Sequence, residues 1–240
     1  MARVRRGPRR PRPRHVVVSP ARTLAATYDG IGRVVDGLAD ADLARPTRAA
    51  GWTVRDLLLH LLLDAQRALV TVGSPADSAP DRDRFDYWRG FHPRRGDGGR
   101  AHAELVRRVA AAYGDTALRA LWRDTAPAAA HAVAVAHPDD LVTTQGHVLS
   151  VADLASTLVV EACVHHLDLV VELPDAPGPP DDALAETRTV LDGLLGRAFP
   201  AAWDARRVVL VGTGRVEPTA AEAAGLADLG VPVDALPLLG

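Results

Sequence analysis

Lysine and asparagine are absent from the 240 residues, and isoleucine and cysteine each occur once. All 28 basic residues are therefore arginine, a bias typical of a GC-rich genome, because the missing codons are rich in A and T. The single cysteine, Cys163, excludes a disulfide within the chain. A free cysteine fits a reducing compartment, and we expect a cytoplasmic protein.

Long apolar runs are also missing. The longest candidate, residues 57–63, is interrupted by His60 and followed by Asp64, whereas a membrane helix needs roughly 20 apolar residues. The composition, with 48% hydrophobic and 24% charged residues, is that of a globular protein with one substantial core. We therefore expect no membrane partner.

Acidic residues are absent from residues 1–15, which carry seven arginines, so the rest of the chain has a formal charge of −9. An Arg/Pro run of this kind cannot build a core, and residues 1–18 are predicted to be a disordered, solvated tail. The tail could contact nucleic acid, but the acidic body argues against nucleic acid as the main partner. The expected divisions are this tail, a helical body at 19–175 and a short appendage at 176–240.

Apolar spacing and capping residues predict a helix bundle. Ser19 with Pro20, Thr53 with Asp56, and Ser150 with Asp153 are typical helix starts. We predict helices at about 19–38, 53–72, 100–123 with a break near Gly114, 126–136, 150–172, 181–197 and 219–228. Short extended structure is expected within 137–150, and the β-branched run at 206–215 favours a strand. The fold class is mainly α, a four-helix bundle with a small α/β appendage at its C-terminus.

Glu161 and His165 stand four residues apart in the apolar run "VVEACVHHLDLV", so they share one face of their helix. A buried carboxylate without a partner is costly, and it normally protonates, pairs or binds a metal. His166 points about 140° away from Glu161 around the helix, against about 40° for His165, so His165 is the better partner. Asp168 is placed to orient an imidazole, and Cys163 is expected to pack.

His60 is a histidine among leucines on a different predicted helix. If the two helices are neighbours, His60, Glu161 and His165 could form a three-ligand site with an open position, which suits catalytic zinc, iron or nickel. The alternative is structural, because a histidine on an apolar face is more often a hydrogen-bonded core residue than a ligand. Spacing alone leaves both interpretations open.

The segments "GWTVRDLLLHLLLDAQ" (51–66) and "LVTTQGHVLSVADLASTLVVEACVHHLDLV" (141–170) resemble the maleylpyruvate isomerase family of mycothiol-dependent enzymes. That family belongs to the DinB-like superfamily of metal-binding four-helix bundles, and the resemblance covers about residues 19–175. It implies a divalent metal, usually zinc, held by His60, Glu161 and His165, with mycothiol as thiol cosubstrate. It also implies an actinobacterial source.

The resemblance leaves the reaction open. The leading hypothesis is a mycothiol-dependent isomerase or S-transferase acting on a small electrophilic substrate, through a metal-held thiolate. The alternatives are a metal-dependent hydrolase on the same scaffold and a non-catalytic metal- or ligand-binding regulator. Trp52 and Arg55 could contact the cofactor, unless they are a packed loop anchor and a surface arginine. The loop around "RFDYWRGFHPRRG" is either a lid, with Tyr87, Trp88 and Arg89 as contacts, or a mobile insertion.

Overall fold

The computed structural model describes residues 18–89 and 97–239. Helices and strands follow one another in the order α1 (Pro20–Gly37), α2 (Val54–Val72), α3 (Asp86–Arg89), α4 (Asp97–Ala112), α5 (Asp115–Val135), β1 (Leu141–Thr144), β2 (His147–Ser150), α6 (Val151–Leu169), α7 (Asp181–Leu195), α8 (Ala205–Gly212) and α9 (Ala220–Asp228). Two short 3₁₀ segments, Asp40–Ala44 and Val233–Ala235, complete the described elements. The predicted tail at 1–18 lies outside the described residues, apart from Val18.

Helices α1, α2, α5 and α6 form a four-helix bundle. Both α1 and α2 pack against α5 and α6, so the four helices close a ring in which α1 lies opposite α2. Helix α6 is buried on almost every side, which explains why its sequence is apolar nearly all round. The mainly α bundle that the sequence predicts is therefore confirmed, and α2 and α6 are neighbours.

The segment between α5 and α6 is a β-hairpin. Strands β1 and β2 pair in antiparallel register, with Thr144 opposite His147. Gln145 and Gly146 make the two-residue turn, and both have positive φ, as a tight hairpin turn requires. The short extended structure expected within 137–150 is confirmed.

Two predicted elements differ in the structure. Residues 206–215 do not form a strand: Ala205–Gly212 is helix α8, capped by Asp204, whose carboxylate accepts a hydrogen bond from the amide of Arg207 at 2.7 Å. An apolar run of four residues has no period that separates strand from helix, and here the cap and burial decide. The break predicted near Gly114 is confirmed, since α4 ends at Ala112 and Gly114 is the N-cap of α5. The predicted gap between 123 and 126 is wrong, because α5 runs without interruption from Asp115 through Pro127 to Val135.

The long connection after α2 is packed in its described part, up to Arg89. Phe85 lies over Gly193 of α7, where an added Cβ would come within 2.4 Å of the ring. Arg84 pairs with Glu186 of α7 at 3.2 Å, and Glu186 in turn accepts a hydrogen bond from Ser156 of α6 at 2.6 Å. The connection, the appendage and the bundle are thus joined along α7. In the described ranges, no helix is long and apolar enough to cross a membrane.

Candidate metal centre

Helix α2 brings His60 to the site. The preceding loop turns at Gly51, whose φ of 80° lies in the left-handed region that favours glycine. Thr53 then caps the helix: its amide donates to Asp56 at 2.8 Å, and its hydroxyl accepts from the amide of Asp56 at 3.4 Å. Both hydrogen bonds of the predicted capping box are present. The turn and the cap fix where the helix starts, and His60 follows two turns later.

Helix α6 brings the other two side chains. Ser150 caps the helix by accepting a hydrogen bond from the amide of Asp153 at 3.0 Å, as predicted. Glu161 follows the cap by about three turns and His165 by about four. Nε2 of His165 lies 3.2 Å from a carboxylate oxygen of Glu161. The four-residue spacing therefore produces the contact that it predicts.

The structure brings His60, Glu161 and His165 together. Each offers one ligand atom, and these atoms lie within 4.8 Å of one another. The side chains of His60 and His165 are 14% and 11% exposed, and that of Glu161 is 25% exposed, so the cluster is sheltered but reachable from solvent. Two imidazoles and one carboxylate are compatible with a metal site that leaves a position open.

The ring of His165 is held on both sides. Nδ1 lies 3.1 Å from Oδ2 of Asp168, which is fully buried, and this contact leaves Nε2 facing Glu161. Asp168 also accepts hydrogen bonds from Arg215, at 3.1 Å from Nη2 and at 3.3 and 3.4 Å from Nε. A histidine that binds a metal through one ring nitrogen commonly donates the N–H of the other nitrogen to a carboxylate.

The pKa values of the two imidazoles are shifted in opposite directions. Burial, together with the positive charge of His165, lowers the pKa of His60 to about 3, so its ring is neutral and keeps a free lone pair. Burial alone would lower the pKa of His165, but its hydrogen bonds with Asp168 and Glu161 outweigh burial and raise the pKa to about 9. A metal ion at this position would displace the proton that His165 otherwise shares with Glu161.

The two carboxylates beside the imidazoles, Glu161 and Asp64, have pKa values shifted in opposite directions. Burial would raise the pKa of Glu161, but the contact with His165 outweighs burial and lowers the pKa to about 2. Asp64 lies one turn beyond His60, with Oδ2 3.5 Å from Nε2 of His60. Burial and the charge of Glu161 raise the pKa of Asp64 to about 7. That Oδ2 has no hydrogen-bond partner within the part of the chain that the structure describes.

Aromatic rings surround the cluster. The ring of Trp52 lies 5.0 Å from that of His60 and 6.4 Å from that of His165, measured between centroids. The exposed His102 of α4 lies 5.6 Å from His60 and 6.4 Å from Trp52. Trp52, predicted as a cofactor contact, is therefore beside the cluster, and His102 stands at its exposed side.

Other candidate residues are engaged elsewhere. Arg55 forms an ion pair with Asp115 of α5, and contact with a cofactor stays a prediction for it. Tyr87 and Trp88 pack edge to face in α3, where Trp88 is buried. The exposed Arg89 pairs with Asp86 at 2.7 Å. The lid stays a prediction.

Two further histidines of the described residues, His147 and His166, and the cysteine are not part of the cluster. Nε2 of His166 donates to the carbonyl of Pro177 at 2.9 Å, in the direction opposite to Glu161. Cys163 is fully buried, and burial raises the pKa of its thiol to about 12. His147 pairs with Asp81 at 2.9 Å. His92 lies outside the described residues.

Sequence reasoning missed three residues at the site. Asp64 had a usable signal, because it stands four residues after His60 on the same helix. His102 and Arg215 had none, since they come from α4 and from the segment after α8. Only the packing of those segments against the bundle brings them to the cluster.

A bundle of four helices with a sheltered His–Glu–His cluster between two of them defines a helical protein with a candidate metal centre. The family model described as the mycothiol maleylpyruvate isomerase N-terminal domain matches residues 24–170, and the chain belongs to that family. Comparison with curated proteins gave no match. Comparison with solved structures gave none either.

Proposed function

We propose that the protein is a metal-dependent enzyme that uses mycothiol to act on a small electrophilic substrate, as an isomerase or an S-transferase. The observation that carries the proposal is the convergence of His60, Glu161 and His165 within 4.8 Å, in a chain of the mycothiol maleylpyruvate isomerase family. Zinc fits this donor set, because imidazole and carboxylate are among its usual ligands.

Each residue of the site would have a separate role in holding the metal. His60 offers a neutral imidazole, Glu161 an ionised carboxylate and His165 its Nε2, while Asp168 holds the opposite nitrogen of His165 in place. A bound divalent ion lowers the pKa of a thiol and so supplies a thiolate nucleophile at neutral pH. Trp52 shelters the side of the cluster next to both imidazoles.

Cys163 does not compete for the role of nucleophile. It is fully buried, and its raised pKa keeps it protonated at neutral pH. No other cysteine exists in the chain, so a thiolate for the reaction has to come from a cosubstrate. If the reaction uses a thiolate, the thiol is therefore external, and the family to which the chain belongs points to mycothiol.

The test combines metal content with thiol dependence. We expect about one zinc per chain, one being the capacity of a single three-ligand site, and little or none in His60→Ala. With metal present, disappearance of a small electrophile such as a maleyl or halo-bimane compound should require mycothiol and should be faster than with mycothiol and His60→Ala protein. Turnover without thiol would favour the hydrolase instead.

A third outcome separates the enzyme from the regulator. Salt-sensitive DNA binding that is lost on deleting residues 1–15, with no turnover of any electrophile, would favour a regulatory protein. Absence of metal from the wild type, even after zinc is supplied, would contradict the proposed function.

A further inference from the structure

Arg215 lies outside the family-matched residues 24–170 and still contacts Asp168, the carboxylate that holds His165. It follows α8, in the C-terminal segment, and is separated from Asp168 by 47 positions in the chain. The side chain of Arg215 is 13% exposed, and that of Asp168 is fully buried. Removal of either charge from an ion pair this well sheltered would be costly, because the other charge would stay buried without a partner.

The contact has the geometry of a clamp. Nη2 and Nε of Arg215 both reach the carboxylate of Asp168, and Nη1 donates to the carbonyl of Thr213 at 3.0 Å. Oδ2 of Asp168, which receives both arginine nitrogens, is the same atom that faces Nδ1 of His165 at 3.1 Å. Two-pronged arginine–carboxylate contacts restrict the orientation of the carboxylate more than a single point charge would.

The backbone around Arg215 is itself fixed. Gly214 adopts a φ of 65°, which reverses the chain directly after α8. The amide of Arg215 then donates to the carbonyl of Leu210 at 2.8 Å, and the buried Thr213 bonds the carbonyl of Val209 at 2.7 Å. The guanidinium is therefore carried on a closed turn and not on a loose tail.

We infer that Arg215 is a positioning residue of the metal centre, which acts on His165 through Asp168. The inference rests on the proposed function, since it assumes that His165 binds the metal. It makes the C-terminal segment part of the site: α8 and the turn at Gly214 supply the group that fixes Asp168, and Asp168 fixes the ligand ring. Within the described residues, the side chain of Arg215 hydrogen-bonds to Asp168 and to the carbonyl of Thr213, and neither of these partners is one of the three candidate ligands.

The experiment is a double-mutant cycle on the full chain, read by zinc affinity in competition with a chelator. Arg215→Met should weaken zinc binding by about tenfold to hundredfold, the usual effect of losing a group that orients a metal ligand. In an Asp168→Asn background the same substitution should add no more than about twofold, the scatter expected of uncoupled sites. The visible spectrum of the Co²⁺-loaded protein should change in Arg215→Met, because it reports ligand geometry.

Arg207→Met is the matched control. Arg207 lies on α8 and forms a shorter two-pronged ion pair with Glu222, at 2.7 and 2.5 Å, but does not contact Asp168. This control should leave zinc affinity within about twofold of wild type. If Arg215→Met does not fold, Arg215→Lys replaces it, and a partial loss of affinity that disappears in the Asp168→Asn background is expected.

Two results would overturn the inference. One is an unchanged zinc affinity and Co²⁺ spectrum in the Arg215 variants. The other is an equal loss in both backgrounds, or in Arg207→Met, which would make the effect structural. A wild type that binds zinc, with unaffected Arg215 variants, refutes this inference alone. A wild type that takes up no metal refutes the proposed function and this inference with it.

Discussion

His165 and His166 are adjacent on α6, but their side chains contact different parts of the molecule. Nε2 of His165 is 3.2 Å from Glu161, inside the His–Glu–His cluster, whereas Nε2 of His166 is 2.9 Å from the carbonyl of Pro177. The ring of His166 also packs over Gly30 of α1, where an added Cβ would come within 3.1 Å of Cε1. One imidazole faces the candidate centre, and the other ties α6 to its surroundings.

Substitution of these two histidines should therefore have different effects. We expect His165→Gln to weaken zinc binding by more than about hundredfold, beyond the loss typical of a residue that only orients a ligand. His166→Gln should keep zinc affinity and lower the stability of the fold, because Gln replaces a packed ring. Chelator competition and urea unfolding measure the two quantities. Equal zinc losses in both variants would contradict the assignment of His165 as the ligand.

The two carboxylates beside the cluster offer a second matched pair. Glu161→Gln should abolish zinc binding, because Glu161 is within 4.8 Å of both imidazole donors. Asp64→Asn should retain it, because Asp64 approaches His60 but is not part of the three-residue group. Zinc content after gel filtration distinguishes the variants. Loss of zinc in Asp64→Asn would make Asp64 a ligand.

His166 gives the stability a defined dependence on pH. Burial lowers its pKa to about 4 from the ordinary 6.5, with the hydrogen bond to Pro177 opposing the shift. The folded protein therefore keeps His166 neutral while the unfolded chain takes up a proton, so stability is lost as the pH falls from about 6.5 towards 4. Between pH 7 and 5, wild type should lose about 2 kcal/mol more than His166→Gln, which has no group that titrates there.

Urea unfolding of both proteins at the two pH values checks this prediction. The comparison is made between variants, so that groups other than His166 contribute equally to both. A difference between wild type and variant that is the same at pH 7 and pH 5 would show that His166 does not titrate in this range.

Removal of metal should lower thermal stability. Binding to the folded state alone stabilises by about 2.7 kcal/mol when free zinc is a hundred times its dissociation constant. For a chain of this size that corresponds to a rise of about 5–10 °C in Tm. Melting curves with zinc and with a chelator should differ by this amount in wild type and coincide in Glu161→Gln. A shift of equal size in Glu161→Gln would indicate zinc binding elsewhere.

Replacement of two helical glycines by alanine should change stability in opposite directions, because Phe85 packs on Gly193 and nothing packs on Gly225. Gly193→Ala should destabilise by about 1–3 kcal/mol, because its Cβ would overlap the ring of Phe85 and force the connection to move. Gly225→Ala in α9 meets nothing within 4 Å and should stabilise by up to about 1 kcal/mol.

Urea unfolding measures both substitutions, and Phe85→Ala supplies the control. In the Phe85→Ala background, Gly193→Ala should lose its cost, since the overlapping ring is gone. A cost that persists without the ring would mean that the strain lies in α7 itself.

The sequence by itself determined where α2 and α6 begin and which contacts form within α6. The caps at Thr53 and Ser150 set where α2 and α6 begin, and the helical period then fixes the contact between Glu161 and His165 and the direction of His166. These relations are local, so residue spacing is sufficient to predict them. The bundle class follows in the same way from the apolar faces.

Only the tertiary structure decided which elements meet. His60 joins Glu161 because α2 packs beside α6, and Arg215 reaches Asp168 because α7, α8 and the turn at Gly214 fold back onto the bundle. The same packing made residues 205–212 a helix, although their β-branched composition favours a strand. Contacts between distant segments depend on how buried surfaces fit together, and a single sequence has no spacing that encodes that fit.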